Sequence, residues 1–157
     1  MAGRDAPAQS AIGQTLYARA AFFDTAAFVA LANRREGPRH RDAVECLALI
    51  QVHRLPVLTS LPIVYETHRR MLTDPDLGPV AAARFLEEIY DGSIPIVRTV
   101  DADEVEARRL IRMYPDLTLT DASSMAVMAR LGIAVCFSFD RHFLQAGFIR
   151  IPPFHIG

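Results

Sequence analysis

The chain has 157 residues, 51% of them hydrophobic, with seventeen basic residues against eighteen acidic ones. That length suits one domain with its own core, and that hydrophobic share excludes wholesale disorder. All seventeen basic residues are arginine. Without lysine, P-loop NTPases and Schiff-base enzymes are excluded, and receivers and haloacid-dehalogenase-like phosphatases, which keep a lysine beside their carboxylates, are disfavoured.

The first nineteen residues are rich in Ala, Gly and Gln and read as a flexible N-terminal arm, with the domain spanning 20–157. They lack the sustained apolar stretch of a signal peptide, and no run elsewhere reaches membrane-span length. The expected location is the cytoplasm. Cys46 and Cys136 lie within apolar patterns and read as buried free thiols.

Residues 20–24, Ala-Ala-Phe-Phe-Asp, are an apolar run ending in an acid, which reads as a buried parallel strand. A helix is predicted from Thr25 to Arg35, broken by Gly37 and Pro38, and a second runs on to about His53. Pro56–Thr59 is the second strand, and Ser60 is the expected N-cap of a helix through Glu66 to Met71. Residues 73–78 form a loop, and Pro79 opens a helix that Gly92 ends. Ile94–Arg98 is the third strand. Asp101 is expected to cap the next helix with Glu104 as its capping-box partner. Thr120 is expected to cap a helix over Asp121–Leu131, which Gly132 stops. Ile133–Phe139 is the fourth strand, followed by a turn at Asp140, a short helix to Gln145, and an edge strand over Phe148–Ile151. Strands alternating with helices imply a three-layer α/β/α sandwich around a parallel sheet of four to five strands.

Four acids fall at related places in this order. Asp24 and Asp140 end strands, Asp121 lies in the first turn of a helix, and Glu66 follows the second strand by about two helical turns. The carboxyl ends of parallel strands share one edge, where open α/β sheets bind ligands. Each acid alone has an ordinary explanation: a cap at Asp24, the helix dipole at Asp121, a solvated helix position at Glu66, a turn former at Asp140. Their joint placement points to one pocket. Clustered carboxylates repel, and oxygen-only ligands favour a hard cation such as Mg²⁺ or Mn²⁺. Such an ion activates water and steadies a phosphodiester transition state.

The motifs also resemble those of a known family. Phe-Phe-Asp-Thr-Ala-Ala-Phe at 22–28, Pro-Ile-Val-Tyr-Glu-Thr at 62–67, Leu-Thr-Asp-Ala at 119–122 and Phe-Ser-Phe-Asp-Arg-His-Phe at 137–143 resemble, in order, the four motifs of PIN domains. The resemblance implies a single-strand-specific endoribonuclease of the VapC type, the toxin of a toxin–antitoxin pair. Asp24, Glu66, Asp121 and Asp140 would be its catalytic and metal-site acids. Thr25 and Ser138 would be hydroxyls orienting ligands or waters, and Asp116 an additional candidate acid. Products would carry 5′-phosphate and 3′-hydroxyl ends. The implied partners are RNA, a cognate antitoxin and a second copy in a homodimer. The arm ahead of Asp24 is longer than in most small toxins. A PIN-like binding module without nuclease activity, or a phosphohydrolase acting on DNA or small phosphates, is the competing reading.

Among other residues, His142 reads as an exposed helix position rather than a ligand, and His40, His53, His68 and His155 are scattered. Arg34, Arg35, Arg39, Arg41, Arg69 and Arg70 could meet RNA phosphates or an acidic partner. Phe22, Phe23, Phe28, Phe85, Phe137 and Phe139 sit at core spacing. The faces carrying Phe28, Val29, Leu31, Val44 and Leu47, with Val64 and Tyr65, would offer a dock for an antitoxin helix.

Overall fold

The computed structural model describes residues 19–153, so nearly all of the expected arm lies outside the described residues. Five parallel strands, β1 (Ala21–Phe23), β2 (Val57–Ser60), β3 (Ile96–Val97), β4 (Val135–Phe137) and β5 (Ile149–Ile151), form one sheet in the order β3-β2-β1-β4-β5. The helices are α1 (Thr25–Ala32), α2 (Pro38–Val52), α3 (Leu61–Thr73), α4 (Gly78–Asp91), α5 (Asp101–Met113), α6 (Leu119–Leu131) and the short α7 (His142–Gln145). This is the expected three-layer α/β/α sandwich.

β1 is the central strand, and all three of its residues are buried. A strand covered on both faces must be apolar throughout, which is why Ala-Phe-Phe does not alternate. Phe23 stacks edge-on against Phe137 of β4 with ring centroids 4.9 Å apart and meets Phe28 of α1 at 5.6 Å. Phe28 in turn meets Phe85 of α4. Phe139 is only partly buried, and the Arg39 guanidinium lies over its ring at 5.6 Å, so it belongs to the rim and not the core. Cys46 and Cys136 are buried free thiols, as expected.

Several boundaries differ from expectation, each for a local reason. α1 stops at Ala32 because Asn33 turns extended and its side chain accepts the Arg35 N–H, opening a 3₁₀ turn over Arg34–Glu36. The third strand begins at Ile96, since Pro95 has no N–H to pair. The fourth begins later than expected because the Ile133 N–H closes back on Met128 of α6. Gly132 ends α6 in the left-handed conformation, φ 70°, as its place predicts. Ser60 occupies the N-cap of α3 but makes no capping bond. Thr118, not Thr120, caps α6. At α5, Asp101 is already helical and Glu104 is not the partner; Asp103 Oδ2 accepts the Val100 N–H at 2.9 Å.

The register aligns the functional edge. Phe22 pairs with Leu58 on one side, and Phe23 with Phe137 on the other. Continuing this register puts Asp24 level with Ser60 and Ser138. Side chains level across a parallel sheet share a face.

Candidate active site

Asp24 follows the buried strand directly and is itself 3% exposed. Its carboxylate does not cap α1. Oδ2 accepts the Ser138 hydroxyl at 2.6 Å, while Oδ1 is buried with no hydrogen-bond partner. Burial pushes the Asp24 pKa up to about 7; the Ser138 hydroxyl and the Thr25 backbone N–H oppose the rise, and the charges of Asp121 and Glu66 add to it.

Asp121 lies in the first turn of α6. The Thr118 hydroxyl donates to its Oδ2 at 2.7 Å and accepts its N–H at 3.1 Å. Burial again raises the carboxyl, the Thr118 hydrogen bond opposes this, and Asp140 and Glu66 reinforce it. Glu66, on α3, takes the Thr25 hydroxyl on Oε2 at 2.5 Å. Asp140 sits in the turn after β4, where its N–H donates to Ser138 Oγ at 3.0 Å. Behind the pocket, Cys136 is held as a neutral thiol: burial drives its pKa well up, and Asp24, Asp121 and Asp140 push the same way.

The four acids thus act on one another electrostatically. Among the described residues, however, no three acidic, histidine or cysteine groups are drawn together tightly enough to hold an ion already. The carboxylates lie near enough to act on one another's charges without closing on one point. The donor set suits a hard divalent cation, being all carboxylate, and the unpartnered Asp24 Oδ1 supplies a buried anionic oxygen that lacks a counter-charge.

The family model for the PIN domain matches residues 21–149. The chain belongs to the PIN domain family. The matched span takes in all four acids together with Thr25, Thr118 and Ser138. Among solved structures, this PIN domain is similar to VapC20 of Mycobacterium tuberculosis, a toxin that cleaves the sarcin-ricin loop. The two are 26% identical, with 85% of this chain and 100% of that one covered at a TM-score of 0.73. The expected class, a VapC-like PIN ribonuclease, stands on these two likenesses. No curated protein matches.

His142 differs from its expected setting, and Asp103 has a role that no motif signals. His142 is not an exposed helix position: its side chain is 14% exposed, with Nδ1 at 2.8 Å from Asp140 and Nε2 at 2.8 Å from Asp116. The hydrogen bond with Asp116 raises its pKa, burial works against that, and Asp140 adds to the rise. Asp116 is itself exposed and held low, chiefly by His142. Asp103, which no motif marks, is buried at 2% and takes two hydrogen bonds from Arg130 at 2.8 and 2.9 Å. That pair joins α5 to α6 and serves packing. The basic residues Arg34, Arg35, Arg39, Arg41, Arg69 and Arg70 are all exposed. Arg35 pairs with Asp76 at 2.7 Å, and Arg39, over Phe139, reaches the rim next to Asp140. No helix among the described residues is long and apolar enough to cross a membrane.

Proposed function

We propose that this chain is a divalent-metal-dependent endoribonuclease, with Asp24, Glu66, Asp121 and Asp140 as its catalytic acids and Mg²⁺ or Mn²⁺ as its cofactor. The observation that carries the reading is Asp24 Oδ1, a buried carboxylate oxygen without a partner at the carboxyl edge of the central strand. An uncompensated charge there is costly unless a cation meets it. Asp24 and Asp121 are the first candidates to hold the ion, with Glu66 and Asp140 beside them. Bound there, the ion would supply an activated water and charge stabilisation at the scissile phosphate. The chain's own part is to hold the carboxylates ready. Ser138 fixes Asp24, Thr118 fixes Asp121, and Thr25 fixes Glu66. The exposed arginines at the rim, Arg39 among them, are placed to meet the RNA backbone.

In this reading the chain is a toxin with a short protein antitoxin. Of the docking face expected from sequence, Phe28, Val29 and Val64 belong to the core, whereas Val44 and Tyr65 are 47% and 65% exposed. A groove between α1, α3 and α4, lined by Phe28, Leu31, Met71, Leu77 and Phe85, offers an apolar floor edged by Arg34 and by the Arg84–Glu88 ion pair. The apolar face of an amphipathic helix suits it. Homodimerisation and a cytoplasmic setting belong to the same reading.

The test is a substrate comparison with Mn²⁺ present. Single-stranded RNA, RNA bearing a sarcin-ricin-type loop, flap DNA and a mononucleotide are offered in parallel. Cleavage of RNA with 5′-phosphate products is expected. Cleavage of DNA or the nucleotide alone would replace the substrate class, and no cleavage of any would favour a binding module.

A further inference from the structure

His142 opens α7, and its ring lies between two carboxylates from separate parts of the chain. Nδ1 is 2.8 Å from Asp140 Oδ1, and Nε2 is 2.8 Å from Asp116 Oδ2, which belongs to the connector between α5 and α6 and lies 26 residues earlier. Each ring nitrogen is thus within hydrogen-bond reach of one carboxylate. The backbone adds to the same oxygen: the His142 N–H donates to Asp140 Oδ1 at 2.9 Å. The Asp140 N–H donates to Ser138 Oγ, whose hydroxyl donates to Asp24. One unbroken run of hydrogen bonds therefore joins Asp116 to Asp24 through His142, Asp140 and Ser138.

Asp140 needs such support more than the other acids do. Phe139 and Asp140 lie in the turn between β4 and α7, outside regular helix and strand. Glu66 and Asp121 ride on long helices, and Asp24 is locked between strands. A carboxylate on an irregular turn keeps its rotamer freedom unless another group fixes it, and functional groups must be held closely to be useful.

We infer that His142 is a positioning residue: it fixes Asp140 by tying it to the Asp116 connector, holding Oδ1 and leaving Oδ2 as the oxygen available to a cation. The same bridge anchors the connector that leads into α6, so it also steadies the approach to Asp121. This inference rests on the metal-dependent reading of the pocket.

Three substitutions separate the two halves of the bridge. His142→Asn keeps a donor near the place of Nδ1, His142→Gln keeps one near the place of Nε2, and His142→Ala keeps neither. Mn²⁺ affinity is measured by calorimetry without RNA, and kcat and KM are then measured on single-stranded RNA. Loss of an outer partner of this kind weakens metal binding or turnover roughly 10-fold. His142→Ala should show that loss in full in Mn²⁺ affinity and kcat with KM held, His142→Gln nearly as much, and His142→Asn, which keeps the Asp140 bond but not the tie to Asp116, a smaller part of it. Equal behaviour of all three variants, whether at wild-type affinity or falling in step with Tm, overturns the inference. So does a rise in KM at constant kcat, which would mean that His142 touches RNA instead. If the wild type binds Mn²⁺ and cuts RNA, these outcomes bear on His142 alone. A wild type that does neither overturns the reading of the pocket and the inference together.

Discussion

Replacing Asp24 with asparagine should make the metal-free protein more stable, and the gain should depend on pH in a defined way. The Asp24 carboxyl titrates at about 7 in the folded protein, against an ordinary 3.8. Its folded pKa is raised, so ionisation is disfavoured by folding. The penalty is absent below pH 4, grows between pH 4 and 7, and is complete above 7. At ~1.4 kcal/mol per pH unit, the gap corresponds to about 4 kcal/mol. Local relaxation and the high effective dielectric of real protein interiors reduce this to about 2 kcal/mol. Asparagine keeps the shape and one oxygen to accept from Ser138, so packing is little changed. For a domain of this size, Tm should rise by about 5 °C at pH 8 and stay within about 1 °C of the wild type at pH 4. Thermal unfolding in EDTA, followed by circular dichroism at both pH values, measures this. A variant no more stable at pH 8, or equally stabilised at both pH values, would refute the claim that an uncompensated buried charge sits at Asp24.

Ser138→Ala removes the hydroxyl that favours the charged form of Asp24, so the acid limb of the pH–activity profile should move up by about one unit; an unmoved limb contradicts the assigned contact. Thr118→Ala removes both the cap of α6 and a donor to Asp121, and should cost about 1 kcal/mol by urea unfolding. It should also weaken Mn²⁺ binding more at pH 6 than at pH 8, because Asp121 loses a bond that favours its charged form; a pH-independent change would refute that. Arg130→Met leaves Asp103 buried without its guanidinium and should cost about 3 kcal/mol with no selective loss of Mn²⁺ affinity; a cost under about 1 kcal/mol would show that the pair does little for the fold.

The layout of the fold and the places of the four acids are legible because both follow from order along the chain. An apolar run that ends in an acid, repeated at Phe23–Asp24 and near Phe137–Asp140, forces those carboxylates to the carboxyl edge of a parallel sheet. Thr25 and Ser138 come with them, being sequence neighbours of the acids they or their strands support. What escapes is set by partners distant in sequence. His142 reads as a surface helix residue until Asp116, from another connector, closes over it. Asp103 looks like one more acid in an acidic first turn, and only the packing of α5 on α6 shows it buried against Arg130. The caps shift for a related reason. Thr118 and Thr120 are equally good caps locally, and the start of α6 is decided by where Leu117 enters the core. The same limit applies to the acid cluster: sequence places the four carboxylates at one edge, but their separation depends on how the helices and turns that carry them pack together.

The central claim is that this pocket cuts RNA only with a divalent cation held by its carboxylates. The most direct measurement is cleavage of single-stranded RNA by the purified chain in EDTA and again after Mn²⁺ is restored, beside the Asp24→Asn plus Asp121→Asn variant. The account predicts no cleavage in EDTA, recovery with Mn²⁺ in the wild type, and no recovery in the folded double variant. Cleavage that survives EDTA, or a double variant that cuts at the wild-type rate, would contradict it.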